Sequence, residues 1–241
     1  MTLEIINKHR NDYNSEYWDS VLEKYPNLKI EETASEVSGA WSNATDARIT
    51  INVRSNFDST LTHEMLHLYL DYLKIRPSFV LTQKSYDYFW IREIFERSEL
   101  DDSGNLMSHV KMFPIFTELG FEEELFIENF NTTEVSKKVV RELKDAYKSL
   151  KGNETLTRSY VRNYFKAMFL MKGCINKKIH YFELREVLRK TDEKLFSILN
   201  NFWSQWNSLD IYDGMNSEAH LETMVDELYN GIELYIENKL M

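Results

Sequence analysis

From Thr60 to Leu70 the chain carries one charge, Glu64, in the run Leu61-Thr62-His63-Glu64-Met65-Leu66-His67-Leu68-Tyr69-Leu70. A surface helix normally shows a charged face. This stretch therefore demands a helix with protein packed around most of its girth. On it His63 and His67 stand four residues apart, one turn, and point the same way. Two imidazoles so placed can take two corners of a tetrahedral zinc site. Glu64 falls on an adjoining side, where a carboxylate takes a proton from a metal-bound water. The competing reading is a surface helix with two histidines around a glutamate. The uncharged flanks argue against it, because unpaired charge is costly only where a helix is buried.

The strand before this helix is the clearest in the sequence. In Arg48-Ile49-Thr50-Ile51-Asn52-Val53 the apolar residues 49, 51 and 53 face one side. Residues 47–73, a strand, a short loop and the HExxH helix, resemble the core of a zincin metallopeptidase. That resemblance implies zinc on His63 and His67, with Glu64 as general base and proton shuttle. It also implies that an extended peptide pairs with an edge strand at 48–53. The metzincin branch would need Gly at 70 and His at 73, where Leu70 and Leu73 stand. The chain is therefore not a metzincin, and the third ligand comes from further along.

The rest of the chain favours helices. Seven Gly and three Pro in 241 residues argue against a many-turned all-β fold, and 43% apolar residues supply a sizeable core. Residues 1–25 read as helical, with Pro26 as the stop, and Leu28–Glu32 and Glu36–Trp41 as strands. Asp58 or Ser59 is the expected N-cap of the motif helix, and Pro77 its end. Tyr86–Ser98 reads as a second, buried helix beside it. Asp101-Asp102-Ser103-Gly104 reads as a turn, and Asn105–Met112 as a third helix that Pro114 kinks or restarts. Gly120 is a stop. Beyond 120 the chain reads as essentially all helix, with a loop at Asp210–Asn216. One is capped by Thr133 and ended by Gly152, and one spans 155–172. A bent or broken pair over 182–206 breaks at Thr191 or Asp192, and a last helix runs from about Ser217. Its acids Glu222, Asp226 and Glu233 read as a solvated face.

Zinc needs a third protein donor and an open position. His109 is preferred, with Glu93 and Glu96 as the alternatives and Asn105 as a supporting residue. His180, His220, Tyr69 and Tyr212 are the candidates for stabilising an oxyanion. His220 and His9 read as surface residues.

A net charge of −10 disfavours nucleic acid or anionic membrane as a main partner. No apolar run is long enough to span a bilayer, and no signal peptide is recognised at the start. A single cysteine, Cys174, excludes an internal disulfide and fits a reducing compartment, hence the cytoplasm. The expectation is a predominantly helical α+β fold. It has a zincin-like metal-binding region over 1–120, with a small sheet and the active-site helix, and a helical region over 121–241. The expected chemistry is hydrolysis of a peptide or protein substrate with one zinc ion on His63, His67 and His109. The alternative is a non-catalytic zinc-binding interaction or sensor module that docks through its helices.

Overall fold

A computed structural model of the protein describes residues 2–34, 38–126 and 135–241. The expected helix over 1–25 is two helices, α1 (Thr2–His9) and α2 (Ser15–Lys24). Between them buried Asn14 bonds the chain to itself, accepting from the Asn11 N–H and donating to the His9 carbonyl. Three strands follow: β1 (Lys29–Thr33), β2 (Gly39–Ser42) and β3 (Ala47–Asn52). Of the second expected strand, residues 36 and 37 lie outside the described residues. The sheet order is β1-β3-β2, with β1 parallel and β2 antiparallel to β3.

That order corrects one expectation. β3, the strand assigned to substrate pairing, lies in the middle of the sheet with both sides occupied, and β2 is an edge. The apolar face of β3 also ends sooner than expected. Ile49 and Ile51 are fully buried, whereas Val53 is 58% exposed.

The motif helix is α3 (Phe57–Tyr72), and it packs on the sheet and on α2. Its N-cap is Asn56, whose side chain accepts from the Ser59 N–H at 3.2 Å. Asp58, one of the two expected caps, instead pairs with His9 Nδ1 at 2.9 Å. His9 also packs its ring on Phe57, so it is not a plain surface residue. The helix closes when the Ile75 N–H reaches back to the Leu70 carbonyl, with Lys74 in the left-handed region at φ 62°. Pro77 does not end this helix; it opens α4 (Pro77–Ser85), where its missing N–H costs nothing.

The expected helix over 86–98 is shorter, α5 (Phe89–Ile94), and it packs against α4 and against two later helices described below. The chain then extends at Phe95, and α6 (Arg97–Glu118) begins where Glu99 accepts from the Glu96 N–H. The expected turn at 101–104 is inside α6, and the helix runs through Pro114 without restarting. Gly104 is required by close approach. A Cβ there would sit on the backbone of Ser78, nearer than real Cβ contacts come. Gly120, at φ 88°, follows the helix end as expected.

After a short 3₁₀ turn at Glu123–Leu125 come α7 (Lys137–Tyr147), α8 (Glu154–Lys172), α9 (Phe182–Thr191), α10 (Glu193–Ser208) and α11 (Met215–Leu240). Thr133, the expected cap of α7, lies outside the described residues. Ser136 is the cap, accepting from the Val139 N–H. The break at Asp192 occurs where expected. The fold is α+β and predominantly helical. No helix among the described residues is long and apolar enough to cross a membrane.

The chain divides into two compact units, residues 1–75 with 111–130, and residues 76–110 with 131–241. Residues 76–110 thus group with the later helices. The helix α6 runs through the division. The first unit holds the sheet and α3. In the second, α11 packs against α4, α5, α8 and α10. Tyr229 on α11 donates to the Leu81 carbonyl at 2.9 Å. Buried Asp192 ties three helices together. It accepts from Tyr160 and Tyr235 and caps α10 through the Leu195 N–H. The acids of α11 are not simply a solvated face. Asp226 pairs with Lys84 at 2.7 Å, and Glu233 accepts from the Trp90 and Ile91 N–H groups at the start of α5.

Candidate metal centre

The side of α3 that carries the motif is buried, as the absence of charge requires. His63 is 8% exposed and Glu64 7%. The Nε2 atoms of His63 and His67 stand 3.2 Å apart. Zinc bonded to two imidazoles at about 2.0–2.1 Å, with a tetrahedral angle between them, sets their nitrogens about 3.3 Å apart. The observed spacing fits that requirement.

His109 on α6, also 8% exposed, is the third imidazole. One ligand atom from each of His63, His67 and His109 lies within 4.8 Å of the others, so the cluster could hold a metal ion. This donor set is neutral when deprotonated, nitrogen-only and short of four, the kind that suits zinc with an open position.

The other candidate ligands are engaged elsewhere. Glu93 pairs with Arg158 at 3.0 Å, and Glu96 with Arg162 at 3.0 Å. Asn105 is exposed on α6 and supports nothing buried. Of the residues considered for an oxyanion, His180, His220 and Tyr212 are exposed. Tyr69 is buried, edge-on to Tyr17 at 4.8 Å.

Burial sets the electrostatics. It pulls the His63 imidazole down to about 4, and a hydrogen bond to the backbone of Phe126 acts the other way. It pushes the Glu64 carboxyl up to about 8, opposed by a hydrogen bond with the backbone of Ala40. A neutral imidazole is the form that binds a metal. In the metal-free protein the Glu64 carboxyl therefore holds its proton at neutral pH.

Two features were not read from the sequence. One is Ala40 on β2, whose backbone meets the motif glutamate. The other is Phe126, whose ring lies 4.7 Å from that of His63. Neither residue type signals such a role locally, since one acts through its backbone and the other through a contact 63 residues distant. Comparison with protein-family models, curated proteins and solved structures finds no match.

Proposed function

We propose that the protein is a zinc-dependent hydrolase of peptide bonds, acting through His63, His67, His109 and Glu64. The observation that carries the reading is the convergence of three imidazole donors beside a buried carboxyl on the HExxH helix. Zinc bound there would lower the pKa of a bound water toward about 7 and polarise a scissile carbonyl. His63, His67 and His109 would hold the ion. The positive charge of bound zinc would favour the ionised form of Glu64, and the carboxylate would then accept the proton of the attacking water and pass it to the leaving amine. The edge strand β2 is the place for an extended peptide to pair, because the backbone of Ala40 already reaches Glu64. The acidic balance of the chain, −10, speaks against nucleic acid or anionic membrane as the substrate surface. The lone Cys174 favours a reducing compartment such as the cytoplasm.

The test is cleavage of a peptide and protein panel by zinc-loaded wild type and by Glu64→Gln. Cleavage by the wild type alone, with both proteins holding zinc, is the expected result. Equal cleavage by both removes Glu64 as the base.

One observation favours a second reading. His63, Glu64 and His109 are each less than a tenth exposed, as in a zinc site that serves structure or sensing. In that case the panel is untouched by the wild type although zinc binds.

A further inference from the structure

We infer that Phe126 is a positioning residue for the metal centre, a wedge that fixes His63 and steadies the helix bearing His109. The inference rests on the zinc reading above. Phe126 follows the 3₁₀ turn at Glu123–Leu125 and is 2% exposed. Its ring packs on the imidazole at 4.7 Å, inclined by 58°. A ring held against a neighbouring aromatic face has less freedom to turn away from an ion.

On its other sides Phe126 meets Phe113 at 5.3 Å and Phe116 at 5.0 Å, both edge-on. Both belong to α6. Phe113 lies four residues after His109, so the two share a face of that helix. One aromatic side chain thus bridges the element with two of the imidazoles and the element with the third. Three donors bind one ion well only when none is free to turn. Phe126 restrains one ring directly and another through its helix.

The full-length chain tests this with zinc affinity, measured by competition against a chromophoric chelator, and with the visible absorption of the cobalt-substituted protein. Phe126→Ala should weaken zinc binding ~10–100-fold, the range found for outer partners of metal ligands, and should change the cobalt spectrum. Phe126→Leu keeps apolar volume and removes the aromatic ring. It decides the matter should the alanine variant fail to fold, and a smaller change of the same kind is expected. Ile30→Ala, in the buried face of β1, serves as the comparator for lost stability. It should leave affinity and spectrum as they are. Unchanged affinity and spectrum in both Phe126 variants overturn the inference while zinc binding by the wild type preserves the metal site. Equal weakening in Ile30→Ala overturns it too, as a mere effect of stability. A wild type that binds no zinc removes this inference and the proposed function together.

Discussion

Glu64→Gln should stabilise the metal-free protein, and by an amount that grows with pH. In the fold the Glu64 carboxyl keeps its proton until about pH 8, whereas in the unfolded chain it releases it near 4.5. Between these values the native state binds the extra proton, so stability falls as pH rises. Each pH unit is worth about 1.4 kcal/mol. The cost of Glu64 is therefore near zero at pH 4.5, about 3 kcal/mol at pH 7 and about 5 kcal/mol from pH 8 upward. Glutamine has nearly the same shape, still accepts a hydrogen bond from the backbone of Ala40, and never ionises. His63 tilts the curve the other way. Its folded value of about 4 lies below the ordinary 6.5, so its stability is lost as pH falls through that window. That loss is common to both proteins and largely cancels in their difference. Urea unfolding in chelator, at half-unit steps from pH 5 to 8.5, gives the difference directly. The variant should gain on the wild type up to about pH 8 and keep that lead above it. Parallel curves would show that burial does not hold the proton on Glu64, and the electrostatic account of that carboxyl would fail.

Other perturbations have equally definite outcomes. His109→Ala should weaken zinc binding by more than the ~10–100-fold typical of an outer partner, read by chelator competition; wild-type affinity would place the third donor elsewhere. Asp192→Ala removes the acceptor of two buried tyrosine hydroxyls and the cap of α10. It should cost roughly 3–5 kcal/mol of unfolding free energy in urea. Gly104→Ala forces a methyl group against the Ser78 backbone and should cost roughly 1–3 kcal/mol, seen as a lower urea midpoint at unchanged slope.

The motif helix was legible because its signal is local. Four-residue spacing and an uncharged girth belong to one helix and need no partner to be read. The approach of His109 to the two motif histidines was legible only as a preference, since nothing local separates it from a core histidine. The role of the strands was hidden, because β3 and β2 differ in their neighbours and not in their alternation. The sequence Asp101-Asp102-Ser103-Gly104 looks like a turn, yet Gly104 is there to admit Ser78, a contact 26 residues away. The acids of α11 likewise looked solvated until Lys84 and the start of α5 came beside them. In each case the missed information is which surface a residue meets. Hydrophobic period and turn chemistry carry only whether it meets one.

The central claim is that three imidazoles share one zinc ion. Zinc content together with X-ray absorption at the zinc edge, on protein purified without chelator or added metal, tests it most directly. The account predicts one zinc per chain with three nitrogen donors of imidazole type at about 2.0–2.1 Å and one light-atom ligand. A zinc-free chain that also fails to take up the ion when it is offered, or bound zinc with the same spectrum after His63, His67 and His109 are all replaced by alanine, would contradict it.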